Sequence, residues 1–132
     1  MFGRKVFALS LILILCLGTG TALALDENPP SEHLLQMTAR ANDLVVRLSE
    51  QAQRVGDHIV ANYNNGHISY EVADNTLQVL CITLRHTTDA VLAPVKAQCE
   101  RENVSWSCVY TPVEIGWRTV LVDPIIVPGN SD

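Results

Sequence analysis

The residues most able to do chemistry are a cysteine, a histidine and an aspartate close together in the chain, Cys81, His86 and Asp89. A thiol, an imidazole and a carboxylate can act as nucleophile, base and orienting group when their side chains meet. On a helix, the five positions from Cys81 to His86 correspond to about 500° of rotation, which points these two side chains in different directions. The sequence therefore predicts no catalytic site, and a protein that is not an enzyme.

Metal, nucleotide and redox chemistry also lack the residues they need. The histidines are scattered without the short spacings of zinc sites; they are His33, His58, His67 and His86. The chain has no glycine-rich phosphate loop, no Gly-x-Ser-x-Gly elbow and no Cys-x-x-Cys pair. We therefore expect no metal and no cofactor.

The cysteines predict one disulfide. Cys16 falls in the apolar leader described below, which leaves Cys81, Cys99 and Cys108 for an oxidising compartment. Cys81 and Cys99 lie too far apart along one helix to bond, at about 1.5 Å per residue. The short loop between Cys99 and Cys108 favours a bridge there, with a Cys81–Cys108 pairing as the alternative. Cys81 is then either a buried apolar residue or a reactive or intermolecularly bonded thiol.

Three aromatic residues are concentrated near the C-terminus, Trp106, Tyr110 and Trp117. Trp and Tyr dominate the energetics of binding surfaces, so these residues form a candidate binding face. The alternative interpretation is that they cover the core.

The first residues have the pattern of an export signal. Arg4 and Lys5 precede an apolar run over residues 6–17, and small residues follow as far as Ala24. An apolar run of about a dozen residues is shorter than the roughly 20 that a bilayer span needs. The sequence predicts a cleaved signal peptide over residues 1–24, an extended leader over 25–30 and one small domain over 31–132. We expect a periplasmic or secreted protein with no stable membrane span after cleavage.

The charge of the chain restricts its partners. The formal net charge is −5, and the mature protein is more negative still because Arg4 and Lys5 leave with the signal. Such a surface repels nucleic-acid phosphates and anionic lipid. We expect no nucleic-acid partner.

Apolar periodicity predicts two long helices, over residues 31–62 and 69–101. Ser31 and Ser69 stand at the positions of N-caps, and the Asn-rich and Gly66-containing segment between the helices is typical of a turn. The dense apolar run over residues 76–84 fits a buried strand as well as a helix. Pro94 is expected to end or kink the second helix, with a short continuation after it.

Alternating apolar residues over 104–110 and 115–121 predict two strands joined by a turn over 111–114. An isolated hairpin is marginal, so it must pack on the helices. The predicted fold is α+β, an antiparallel helical hairpin packed against a C-terminal β-hairpin.

These observations favour an exported, non-enzymatic factor that binds another protein, or itself, in an accessory or assembly role. The first helix has an apolar stripe wide enough to leave surface for a partner. The alternative is a small-ligand or thiol-based redox-sensing module that uses Cys81 and the aromatic hairpin.

Overall fold

A computed structural model describes residues 28–127. The signal peptide predicted over residues 1–24 lies outside the described residues, as do residues 25–27 and 128–132. The described part has two long helices followed by short strands: α1 Glu32–Asn64, α2 Tyr70–Glu102, β1 Ser107–Cys108, β2 Thr111–Ile115, β3 Arg118–Val122 and β4 Ile125–Ile126. The helices are antiparallel and pack against two small β-ladders, which confirms the predicted α+β class.

Both predicted N-caps are confirmed. The Ser31 hydroxyl accepts a hydrogen bond from the backbone N–H of Leu34, and the Ser69 hydroxyl accepts one from that of Val72. Each serine thereby satisfies a donor that the first turn of a helix leaves without a backbone acceptor. The two helices begin and end within two residues of the predicted bounds.

Residues 76–84 are helical, so the strand interpretation of this segment is wrong. Leu77, Cys81 and Leu84 recur at helical spacing, and all three are buried. The helix also continues through Pro94, which removes only one backbone donor from it. Leu92 and Val95 are buried on either side of the proline, and this packing holds the last turns in place.

The start of α1 is joined to the end of α2. The Glu102 carboxylate accepts hydrogen bonds from the backbone N–H of Ser31 at 3.0 Å and from the Ser31 hydroxyl at 2.7 Å. The side chain of Gln98 also donates to it, and the Gln98 and Ser31 bonds together lower the pKa of Glu102. The backbone N–H of Asn28 donates to the Asn103 carbonyl at 3.0 Å. We call these contacts the terminal clasp.

The strands differ from the prediction in register. Strand β2 pairs with β3 in an antiparallel ladder, and β1 pairs with β4 outside it. The reversal is made by Gly116 and Trp117, so the turn predicted over residues 111–114 is wrong: those residues belong to β2. Gly116 has φ +61°, and a glycine with positive φ at the first central position is typical of a two-residue hairpin turn.

Two glycines let this turn approach the helices closely. A Cβ atom at Gly56, in α1, would lie 2.9 Å from Cγ2 of Ile115 and 3.0 Å from the backbone N of Gly116. A Cβ atom at Gly116 would lie 2.9 Å from side-chain atoms of Leu77 and Val60. Gly56, which weakens α1 as a helix, is therefore the place where the β-hairpin turn contacts it.

The core lies between the helices and the strands. Its fully buried side chains include Leu34, Leu77, Leu92, Ile115 and Ile125. Neither helix of the described chain has a stretch long and apolar enough to cross a bilayer.

The structure does not form the predicted Cys99–Cys108 disulfide, nor the Cys81–Cys108 alternative. Cys81 and Cys99 are both free, buried thiols. The Cys99 side chain is instead packed in the apolar core cluster, with an exposed fraction of 0 %.

Candidate functional site

The structure does not assemble Cys81, His86 and Asp89 into a nucleophilic site. All three lie on α2, where Cys81 faces the core while His86 and Asp89 are exposed. Burial raises the pKa of the Cys81 thiol, which disfavours the thiolate that nucleophilic chemistry requires. Within residues 28–127, no three His, Cys, Asp or Glu side chains converge in a way that could hold a metal ion.

The predicted aromatic face is divided between separate places. The Trp117 ring lies near the turn between α1 and α2, where it stacks on Tyr70 with 5.2 Å between ring centroids. The ring of Trp106 instead lies beneath Lys96, whose Nζ is 5.4 Å from its centroid. Tyr110 is half-buried just before β2. Trp106, Tyr110 and Trp117 therefore do not form one binding surface.

A different aromatic cluster exists, made of Tyr63, Tyr70 and Trp117. The Tyr63 ring packs edge-on against both others, with centroids 5.8 Å from Tyr70 and 5.6 Å from Trp117. The sequence analysis missed the two tyrosines, although their positions on either side of the interhelical turn were a usable signal.

Asp74 holds this aromatic cluster in place. Its carboxylate accepts hydrogen bonds from Arg118, through Nε at 2.8 Å and Nη2 at 2.9 Å, and from Nε1 of Trp117 at 2.8 Å. The bonds from Arg118 and then from Trp117 lower the pKa of Asp74 to about 2. Asp74 thus joins Trp117 in the turn and Arg118 in β3 to α2.

Asp123 is a buried carboxylate with incomplete pairing. Only 4 % of the residue is exposed, and its Oδ2 lies 3.5 Å from Nζ of Lys96. Its Oδ1 has no hydrogen-bond partner among the described residues. Burial raises the pKa of Asp123, and the attraction of Lys96 only partly opposes this effect.

The helical pair carries an apolar groove of about 190 Å³. Its floor consists of Ala52 and Leu84, which are buried. Its walls are Leu48, Gln51 and Val55 from α1, and Leu80, Thr83 and Thr87 from α2. No strand residue lines the groove, so the β-ladders leave this side of the helical pair uncovered.

Exposed apolar surface continues from the groove along α1. Leu44 and Val55 on α1 expose 41 % and 42 % of their surface. The lining contains no Asp, Glu, Lys or Arg, although the chain as a whole has a net charge of −5. A continuous apolar surface without charge is typical of the centre of a protein–protein interface.

Fold and surface together define the class of this chain: a small α+β domain in which a helical hairpin is covered by β-ladders and keeps an open apolar groove. No protein family, no curated protein and no solved structure matches the chain.

Proposed function

We propose that this chain is an exported, non-enzymatic factor of the cell envelope or secreted space that binds another protein chain through the apolar groove. One observation carries the proposal: the groove is lined by partly exposed Leu and Val side chains and by no charged residue. Covering such a surface removes apolar area from water at little cost in polar desolvation.

The shape of the apolar groove favours a helical occupant. It runs between two antiparallel helices, and a helix-in-groove contact uses apolar side chains spaced three and four residues apart. A partner helix can place such side chains over Ala52 and Leu84 between the two walls.

A thiol-sensing function receives no support from this geometry. Cys81 is 8 % exposed and burial raises the pKa of its thiol, whereas redox-sensing cysteines have low pKa values and are accessible. Trp117, the aromatic residue of the hairpin turn, is engaged with Tyr70 and Asp74.

Export is the second part of the proposal, and the sequence of residues 1–24 supports it. The test is N-terminal sequencing of the protein recovered from its native host, where the first residue is expected to be Leu25. Recovery of a chain that begins at Met1 from the cytosol would contradict export.

Binding through the apolar groove is tested by photo-cross-linking in intact cells. A photoreactive amino acid at position 87 replaces a wall residue, and one at the adjacent His86 is the matched control because His86 is exposed and lies outside the groove. We expect a discrete protein adduct from position 87 and none from position 86. The absence of any protein adduct at position 87 would overturn the proposed function.

A further inference from the structure

We infer that the occupant of the apolar groove is a second copy of this chain, which packs the groove side of its own helical pair against the first. This inference rests on the proposed protein-binding function and names its partner. It is argued from the spacing of residues on the two helices, from the distribution of charge and from the area available.

The wall residues of the groove belong to a spacing that is typical of helical bundles and that extends beyond the groove to Leu44 and Thr76. Leu44, Leu48, Gln51 and Val55 follow one another along α1 at intervals of four, three and four residues. The residues Thr76, Leu80, Thr83 and Thr87 repeat the same intervals along α2. Alternating intervals of three and four keep one face of a helix against a partner helix. On the groove side, α1 thus carries an apolar stripe interrupted by Gln51, and α2 carries Leu80 among uncharged threonines.

The distribution of charge favours a self-complementary contact. In a two-fold dimer each residue near the axis meets its own equivalent, so any charged group there would face a like charge. The groove lining avoids this because its polar members are Gln51, Thr83 and Thr87. Amide and hydroxyl groups both donate and accept hydrogen bonds, and they can therefore pair with their own copies.

The area of this side of the helical pair is sufficient for a stable dimer. Helices of this length extend about 50 Å at about 1.5 Å per residue, and a packed pair is about 18 Å wide. The resulting face of about 900 Å² per copy is comparable with the roughly 800 Å² per partner of a standard interface. The apolar groove then forms the centre and the charged residues beside it form a polar rim.

In the resulting dimer the two helical pairs pack face to face as four helices, and the β-ladders lie on the outer sides. This arrangement follows because the groove is lined by helix residues alone, while the hairpin turn contacts the helices through Gly56 and Leu77.

The first test is sedimentation equilibrium of the natively processed chain and of four variants. Leu48→Glu and Leu80→Glu place a carboxylate in the groove, and we expect each to weaken dimerisation by at least about tenfold. Val46→Glu and Ile82→Glu are the matched controls, since these residues are 52 % and 51 % exposed and lie outside the groove lining. The controls are expected to dimerise like the unaltered chain.

The second test uses cysteine cross-linking, which introduces no charge into the groove. Thr83→Cys and Ile82→Cys change neighbouring exposed residues of α2, of which only Thr83 lines the groove. With a short bismaleimide, Thr83→Cys is expected to give a covalent dimer, and Ile82→Cys is expected to remain monomeric.

A chain that sediments as a monomer up to about 0.1 mM, without cross-linking through Thr83→Cys, overturns the dimer. The photo-adduct from position 87 separates this outcome from failure of the proposed function. An adduct of twice the mass of the chain supports self-association. An adduct of another mass overturns the dimer but supports a groove that binds a different protein. The absence of any adduct contradicts both the dimer and the proposed function.

Discussion

Asp74 and Asp123 are two carboxylates whose pKa values move in opposite directions within the same small domain. Asp74 binds Arg118 and Trp117, and its pKa falls to about 2. Asp123 is buried beside Lys96, and its pKa rises. The two residues therefore make opposite contributions to the dependence of stability on pH.

Asp74→Asn is expected to lower the free energy of unfolding at neutral pH. The folded-state pKa is about 2, below the ordinary value of 3.8, so the ionised carboxylate stabilises the fold above pH 3.8. This contribution disappears as the pH falls from 3.8 to about 2. Urea unfolding of the variant and of the unaltered chain at several pH values measures it, and a difference that persisted at the acidic end would contradict the assignment.

Asp123→Asn is expected to raise the free energy of unfolding at neutral pH. Because burial raises the pKa of this carboxyl in the fold, the unfolded chain ionises first as the pH increases, and stability is lost above the unfolded pKa. The amide resembles the protonated form and avoids this loss. The same urea series checks the prediction, with Asp74→Asn as the control of opposite sign. Destabilisation by Asp123→Asn at neutral pH would mean that pairing with Lys96 outweighs burial.

The Cys99 thiol is expected to resist alkylation in the native protein. Its side chain is fully buried, and burial followed by the nearby Glu102 and Glu100 charges raises its pKa to about 11. Iodoacetamide labelling at about pH 8, where a thiol of ordinary pKa is partly ionised, followed by peptide mass spectrometry measures the rate. The exposed thiol of Ile82→Cys and the urea-unfolded chain are the controls. Native labelling of Cys99 as fast as that of position 82 would refute its burial.

At the scale of elements, the contact between α1 and the β-hairpin turn depends on Gly56. Gly56→Ala would ordinarily strengthen a helix by up to about 1 kcal/mol. Here the added Cβ atom meets the backbone N of Gly116 at 3.0 Å, and backbone cannot move aside as a flexible side chain can. We expect a net loss of about 1–3 kcal/mol of stability.

Thermal and urea unfolding of Gly56→Ala check this prediction. Asn62→Ala is the matched control, since Asn62 is an exposed residue of the same helix and the change should leave stability within about 0.5 kcal/mol. A Gly56→Ala protein as stable as this control would show that the turn does not depend on the glycine.

The sequence was sufficient to predict the helices, because their signals are local. Ser31 and Ser69 cap the helices, and the apolar spacing continues across Pro94. The hairpin register was not predictable in this way. Alternation of apolar residues shows which side chains share a face of a strand, but it does not show whether the turn lies at residues 111–114 or at Gly116. The turn at Gly116 is selected by contacts with Val60 and Leu77, which are distant in the sequence.

The candidate site was only partly predictable for a related reason. The wide apolar stripe of α1 indicated a surface for a partner, but the groove also requires Leu80, Thr83 and Thr87 from α2. Which residues of α2 face it depends on how the helices pack and on which side the β-ladders cover. The same packing placed Cys99 in the core and left Trp106 and Trp117 apart.

At the scale of the whole molecule, an acidic chain carries an uncharged groove within its described residues. Two copies of the processed chain, each more negative than the −5 of the full sequence, repel one another at a distance, and this repulsion is reduced by salt. The groove lining has no charged residue, so the contact contains no ion pair there that salt could weaken.

We therefore expect dimerisation to strengthen as the ionic strength rises from about 0.02 M to about 0.5 M. Sedimentation equilibrium across that range measures the dissociation constant, and Val46→Glu provides a control with the same groove and one more negative charge per copy. A dissociation constant that increased with salt would indicate an interface held by ion pairs, contrary to the proposed apolar contact.

The terminal clasp can close only after the whole of the second helix has been made. The N-terminal half leaves the ribosome first, yet the carboxylate that closes on Ser31 belongs to Glu102, 71 positions later. The first turn of α1 therefore lacks its hydrogen bonds to Glu102 until the whole of α2 has emerged.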